Sequence, residues 1–219
     1  MKSNLLLVFC KNPQKGKVKT RLAKSIGDDL ALLIYEKLLE KTAAVLSQLN
    51  CDIAFYYSEN IPEQDSFKHL KATKKQQVGD DLGKRMAKAF QEGLSTHQKV
   101  VIIGTDLWTL ESQDIEKAFT VLNQNTAVLG PAQDGGYYLL GLTHFIPRLF
   151  ANKAWGTGEV LEKTKSDLQG EKVYLLDEKN DIDTREDLQQ HPDLAACIQK
   201  NNKWETIWEN AWPRLFKKA

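Results

Sequence analysis

Apolar positions in this chain fall into short unbroken runs separated by longer amphipathic stretches. Asn4–Cys10 (NLLLVFC), Asp52–Ser58 (DIAFYYS), Val100–Gly104 (VVIIG) and Thr126–Gly130 (TAVLG) are such runs. Runs of this length between turn residues predict strands buried on both faces. Asp29–Leu49 differs: Leu30, Leu33, Ile34, Leu38, Val45 and Leu49 recur at helical spacing and predict a long amphipathic helix. Ser112–Asn123, with Ser112 as N-cap, and Glu159–Gln169 predict two more helices, and Gln77–Met86 leads into another that runs to about Gly93. Tyr137–Leu142 returns after the turn Pro131–Gly136, which predicts an antiparallel hairpin from Gly130 to Leu142. Val173–Leu176 reads as a short last strand, and Asp181–Leu188 opens a late helix. Glu59–Lys75 is polar, contains Pro62, and reads as an irregular connection. Strand, loop, helix, strand at the start of the chain argues for an α/β domain with a mostly parallel sheet.

Length and composition narrow this little. At 219 residues the chain suits a single domain, 1–190, followed by a helical tail, 191–219, that packs on it. Trp204, Trp208 and Trp212 stand four residues apart in that tail; the stripe reads as packing, with a homodimer contact as the other reading. Hydrophobic residues make up 42% and charged residues 27%, ordinary for a globular domain, and the net charge of +1 carries no signature of nucleic acid or membrane partners. No apolar run approaches the roughly 18 residues of a membrane-spanning helix. The opening Met-Lys-Ser-Asn enters a strand-like run at Leu5 without a leader-like core, and Cys10, Cys51 and Cys197 are widely separated. Both features lead to the expectation of a reducing, cytoplasmic protein without disulfides or a zinc site.

The candidate chemistry lies in the turns. Val100–Gly104 runs directly into Thr105-Asp106, which sets a carboxylate where the chain leaves a buried strand. In open α/β sheets that edge is where ligands bind. After the first strand, Lys11, Lys15, Lys17, Lys19 and Arg21 surround Pro13 and Gly16. Backbone amides of a Gly-containing loop together with Lys and Arg make an anion site; a solvated surface loop is the plainer reading. Neither GxGxxG nor GxxxxGK[ST] occurs, which disfavours a dinucleotide-binding dehydrogenase and a P-loop enzyme. Asp134, Asp181 and Asp183 could join Asp106 as oxygen ligands for Mg2+ or Mn2+. Each has a structural alternative: Asp134 in an Asp-Gly turn, Asp183 or Thr184 as a helix cap. Gly79-Asp-Asp-Leu-Gly-Lys-Arg85 could bring backbone up to a base or ribose with Arg85 near phosphate, or could simply start a helix. Gly135-Gly136 with Tyr137 and Tyr138 could line an acceptor pocket or form a tight hairpin. His69, His97, His144 and His191 are scattered, and no GxSxG elbow is present, so no nucleophilic constellation stands out.

Taken in order, these segments carry a resemblance. Lys11-x-Pro-x-x-Gly16-x-x-Lys19-Thr20-Arg21-Leu22, Gly79-x-Asp81-Leu82-Gly83-x-Arg85-Met86, Gly104-Thr105-Asp106 and Gly130-Pro131-Ala132-x-Asp134-Gly135-Gly136-Tyr137-Tyr138-Leu139-Leu140-Gly141 resemble the DUF2064 family. That family is also labelled the radical-SAM/selenodomain-associated or arsenosugar-biosynthesis glycosyltransferase family. Trp155 and Asp181-x-Asp183-Thr184-x-x-Asp187-Leu188 fit as well, so the likeness runs from about Leu5 to Leu188. It implies membership of the nucleotide-diphospho-sugar transferase superfamily, with a single-domain, GT-A-like Rossmann-type α/β/α sandwich. Lys19-Thr20-Arg21-Leu22 is also similar to the Lys-Ser-Arg-Leu segment of phospholactate/phosphoenolpyruvate guanylyltransferases. The resemblance implies that Lys11, Lys15, Gly16, Lys19, Thr20, Arg21, Gly79 and Arg85 bind nucleotide and phosphate. It implies Asp106, Asp181 and Asp183 as metal ligands, with Asp106, Lys19 and Arg21 as the catalytic group, and Asp134, Gly135, Gly136 and Tyr137 are assigned to the acceptor. The family has a small residue and Pro after Gly-Thr-Asp; here Leu107-Trp108 stands instead.

The expected activity is therefore a metal-dependent transfer from a nucleotide-activated donor to a small acceptor. Glycosyl transfer from a nucleotide sugar follows from the family label. Nucleotidyl transfer from a nucleoside triphosphate, with release of pyrophosphate, is the alternative that five basic residues after strand one favour. A non-catalytic nucleotide-binding or scaffolding protein is the third reading, motivated by Leu107-Trp108 and the Trp-rich tail.

Overall fold

The computed structural model describes residues 2–199. Seven strands form one sheet: β1 (Lys2–Cys10), β2 (Asp52–Tyr57), β3 (Thr73–Gln76), β4 (His97–Ile103), β5 (Ala127–Pro131), β6 (Tyr137–Leu142) and β7 (Val173–Leu175). Their order is β3-β2-β1-β4-β6-β5-β7. All neighbours run parallel except β6, which is antiparallel to both β4 and β5. The helices are α1 (Thr20–Ile26), α2 (Asp28–Leu46), α3 (Leu82–Leu94), α4 (Ser112–Val121), α5 (Val160–Asp167), α6 (Arg185–Gln189) and α7 (Pro192–Gln199), with a 3₁₀ turn at Pro147–Phe150.

The unbroken apolar runs have a direct cause. Leu6 and Val8 of β1, with Val101 and Ile103 of β4, pack against Tyr35 and Leu39 of α2 and Ile115 and Phe119 of α4. Leu5 and Leu7, with Val100 and Ile102, pack on the other face against Met86, Ala89 and Phe90 of α3 and Leu161 of α5. Successive strand residues point to opposite faces, and both faces are covered, so every position is apolar. This is an α/β/α sandwich. A third cluster joins Leu22 of α1, Leu30, Leu33, Ile34 and Leu38 of α2, Ile182, Leu188 of α6 and Leu194 and Ala195 of α7. Among the described residues no helix is long and apolar enough to cross a membrane. Cys10 and Cys51 are free thiols.

Several expectations change in detail. The connection 59–75 is not wholly irregular: Thr73–Gln76 adds β3 parallel to β2. The strand is an edge of polar residues (TKKQ), so no apolar alternation announces it. The basic loop ends earlier than Arg21, because Thr20 and Arg21 form the first turn of α1. Gly27, at φ 86, separates α1 from α2. Ser112 is not the N-cap of α4. Glu111 is, with Asp114 accepting its backbone N–H at 2.9 Å, while the Ser112 hydroxyl donates to Gln48 at 3.1 Å. The tail residues Trp204, Trp208 and Trp212 lie outside the described residues.

Candidate active site at the carboxyl edge of the sheet

β1 and β4 lie side by side and parallel, so Lys11 and the Gly104-Thr105-Asp106 turn emerge at the same edge. Tyr35 of α2 ties the two together. Its hydroxyl accepts the Lys11 N–H at 2.9 Å, donates to the Lys11 carbonyl at 3.1 Å, and lies 3.1 Å from Thr105 Oγ1. The start of the basic loop is fixed on its other side by buried Asn12. Asn12 accepts the Glu59 N–H at 3.0 Å and donates to the Asn60 carbonyl at 2.8 Å.

The late acidic segment reaches the same edge by a backbone bond, from Ile182 N–H to the Asp106 carbonyl at 3.0 Å. Ile182 is buried in the third cluster. Asp181 and Asp183 flank it: Asp181 lines the cavity at this edge, and Asp183 meets Lys19. Asp187 holds the segment in place. It accepts N–H groups of Asp183 at 3.1 Å and Thr184 at 2.7 Å and an amide of Asn180 at 2.9 Å, and Thr184 caps α6 in return.

Lys19 completes the arrangement. Its ammonium contacts Asp106 and stands 3.0 Å from Asp183. Its side chain is only 2% exposed, while Asp106 and Asp183 are each 43% exposed. The backbone of Lys19 is left-handed, at φ 49 and ψ 42, an uncommon conformation for a side-chain-bearing residue. Burial alone would lower the Lys19 pKa, but the charges of Asp106 and Asp183 outweigh it and hold the pKa above its usual value. Burial would likewise raise the Asp106 pKa, and Lys19 overrides it, keeping Asp106 ionised. Among the described residues Asp181 has no such ion pair. Burial first, then the charges of Asp106, Asp134 and Asp183, push its pKa to about 7 against the pull of Lys19.

These groups surround a cavity of about 500 Å³. Its lining includes the polar residues Lys11, Tyr35, Gln77, Arg85, Thr105, Asp106, Asp134 and Asp181 and the apolar or aromatic residues Leu82, Met86, Tyr137, Trp155 and Val160, with Gly136. Of the residues expected to bind nucleotide or phosphate, Lys11 and Arg85 therefore face the cavity. Lys15, Gly16, Lys19, Thr20, Arg21 and Gly79 are outside its lining. Lys15 is paired with Asp29 at 2.7 Å and Lys17 with Glu59 at 3.2 Å, so much of the basic loop is engaged with nearby acids. Asp106 and Asp181 line the cavity, and Asp183 lies behind them on Lys19. Among the described residues no three acidic, His or Cys side chains gather closely enough to hold a metal ion by themselves.

The glycine motifs serve packing as well as the cavity. Gly79, at φ +147, makes the turn into α3, where Asp81 caps the helix by accepting Lys84 N–H at 2.8 Å. Arg85 is held by the Gly79 carbonyl at 2.9 Å. Asp134 accepts the Gly136 N–H at 2.8 Å, the turn role that Asp-Gly favours. Gly135 is absent from the cavity lining; a Cβ there would stand 2.2 Å from the Gly158 carbonyl oxygen. Tyr35 and Gln77 are contributors that the sequence did not single out. Tyr35 was discoverable as a hydroxyl among the apolar positions Leu30, Leu33, Ile34 and Leu38. Gln77, which donates to the Tyr56 carbonyl at 2.9 Å, offered no signal of its own.

The departure Leu107-Trp108 can now be located. Leu107 is buried and lines the cavity, whereas Trp108 packs on the third cluster and donates its indole N–H to Asp193 of α7 at 2.6 Å.

A mostly parallel α/β/α sheet with one antiparallel strand beside β4, and a charged cavity at its carboxyl edge, defines a fold of the nucleotide-diphospho-sugar transferase type. The profile of the family described as uncharacterized protein conserved in bacteria (DUF2064) matches residues 40–157, more than half of the chain, and the chain belongs to that family. Among solved structures it is similar to a candidate nucleotide-diphospho-sugar transferase from Desulfovibrio desulfuricans G20. The TM-score is 0.82 at 28% identity, over 96% of this chain and 99% of that one. Two more distant structures share the fold. One is 4-diphosphocytidyl-2C-methyl-D-erythritol synthase from Anaerococcus prevotii DSM 20548, with TM-score 0.60, 11% identity, and 91% and 99% of the two chains covered. The other is a cytidylyltransferase from Leptospira borgpetersenii serovar Hardjo-bovis, with TM-score 0.57, 14% identity, and 93% and 96% covered. No match was found among curated proteins.

Proposed function

We propose that this protein is a transferase that takes a nucleotide-activated donor, most simply a nucleotide sugar, and passes the activated group to a small acceptor. The observation that carries the reading is the meeting of Lys11, Asp106 and Asp181 in one cavity at the carboxyl edge of the sheet. The whole-chain likeness to the Desulfovibrio protein supports it. Lys11 supplies positive charge to the donor's phosphates from the end of β1, and Tyr35 keeps its backbone in register with Thr105. Gln77 and Arg85 line the same cavity and would face the donor nucleotide. Catalysis on this reading is positioning and charge stabilisation.

A divalent cation suits the donor set. Asp106, Asp134 and Asp181 line one cavity, and a hard cation prefers carboxylate oxygens. Asp106 and Asp181 would hold Mg2+ or Mn2+, with phosphate oxygens and water completing its shell. Asp183, which like Asp106 pairs with Lys19 through one carboxylate oxygen, is the further candidate ligand. When bound, the ion would neutralise charge on the departing diphosphate. Lys19, enclosed by the two carboxylates, orients Asp106 and keeps it ionised.

The reaction type is tested by product analysis with Mg2+ and a panel of donors. Release of a nucleoside diphosphate from a nucleotide sugar supports the proposal. Release of pyrophosphate from a nucleoside triphosphate replaces it with nucleotidyl transfer. Nucleotide binding with no turnover of any donor indicates a binding protein.

A further inference from the structure

Trp155, Gly156 and Thr157 form part of the cavity wall, and the loop they belong to is held from two sides by glycines with no room for a Cβ. A Cβ on Gly83 would stand 2.4 Å from the Phe150 carbonyl oxygen, 2.6 Å from Trp155 Nε1 and 2.8 Å from Trp155 Cε2. The indole edge therefore lies directly on the first turn of α3. On the other side, Gly135 sits at φ +82 against the Gly158 backbone, and its carbonyl accepts the Leu161 N–H at 2.9 Å. Two remote segments thus fix the position of Trp155 while its ring still lines the cavity, half-buried. Leu82, Met86, Tyr137 and Val160 extend the same wall, and Leu82 remains 42% exposed.

Charge narrows what this wall receives. The cavity is lined by the acids Asp106, Asp134 and Asp181 and by the cations Lys11 and Arg85, both of which the transferase reading commits to the donor nucleotide. The Arg85 guanidinium is drawn to the Gly79 carbonyl and to Gln77, at 2.9 and 3.5 Å. With those cations on the donor, an anionic acceptor would meet carboxylates and an apolar surface; a neutral ring would meet a matching one.

We propose that Trp155 is the platform of the acceptor subsite, and that the acceptor is an uncharged hydroxyl compound laid by a flat ring face, pyranose or aromatic, on the indole. This rests on the transferase reading above, and it assigns to the acceptor a chemistry that a phosphate- or carboxylate-headed molecule does not meet.

The test uses the full chain labelled with 5-fluorotryptophan. The Trp155 fluorine resonance is identified from a Trp155→Phe variant. Methyl β-D-glucopyranoside, 4-methylbenzyl alcohol and 3-phosphoglycerate are titrated with and without nucleoside diphosphate, whose own binding is followed by calorimetry. The expected result is a saturable shift of the Trp155 resonance with at least one of the two ring compounds and none with 3-phosphoglycerate; which ring shifts it distinguishes sugar from aromatic acceptors. Trp155→Ala should weaken that binding about tenfold, Trp155→Phe much less. If nucleotides bind and neither ring compound moves Trp155, or if 3-phosphoglycerate does, the subsite is overturned and the transferase reading survives. If a ring compound moves Trp155 while no nucleotide binds, the subsite stands and the transferase reading falls.

Discussion

Replacing Asp181 with Asn is predicted to stabilise the ligand-free protein at alkaline pH and to do little in acid. The Asp181 carboxyl is raised from its ordinary value of 3.8 to about 7, first by burial and then by Asp106, Asp134 and Asp183. A raised pKa means the folded state holds the proton more tightly than the unfolded chain. The stability this carboxyl adds is therefore full below about pH 4 and is lost as pH rises through about 7. The rise from 3.8 to about 7 corresponds to about 4 kcal/mol. Relaxation and water entry in a cavity-lining group reduce this to about 2 kcal/mol. Asn has the same shape and does not ionise. At about 2–4 °C per kcal/mol for a domain of this size, Asp181→Asn should melt about 4–8 °C higher than wild type at pH 8. The gain should vanish near pH 4. Thermal unfolding followed by circular dichroism at both pH values, with chelator present, measures it. Equal melting temperatures at pH 8, or the same gain at pH 4, would refute the account of Asp181 as a carboxylate without a neutralising partner.

Two further outcomes follow from the same geometry. Lys19→Met leaves Asp106 and Asp183 facing each other without their shared cation; because both are partly exposed, the loss should be about 2 kcal/mol at pH 7, read by urea unfolding, and should shrink below pH 4 as the acids protonate. Trp108→Ala removes the bond to Asp193 and part of the third cluster, and should make α7 the earliest site of limited proteolysis without changing nucleotide affinity.

The sandwich was legible in the sequence because β1 and β4 are buried on both faces and so read as unbroken apolar runs. The hairpin was legible from its turn chemistry at Asp134-Gly135. Thr73–Gln76 was not, because an edge strand exposed to water carries no periodic apolar signal. The site divided in the same way. Asp106 and Lys11 follow strands, and their place is set locally. The pairing of Lys19 with Asp183 joins residues far apart in sequence and depends on Ile182 finding the third cluster. Gly83 reads as ligand-facing backbone or a plain helix start, and Gly135 as pocket lining or a tight hairpin. What they accommodate is Trp155 and Gly158, contacts between distant segments that a linear pattern does not encode.

The central claim is that a nucleotide's phosphates bind between Lys11 and the carboxylates at the end of β4. Calorimetric titration of the common nucleoside diphosphates with Mg2+, on wild type and on Asp106→Ala, tests it most directly. The account predicts saturable binding of at least one of them to wild type and at least about tenfold weaker binding to the variant, which lacks a carboxylate ligand for the Mg2+ that would link it to the phosphates. No binding to wild type, or equal binding to both proteins, would contradict it.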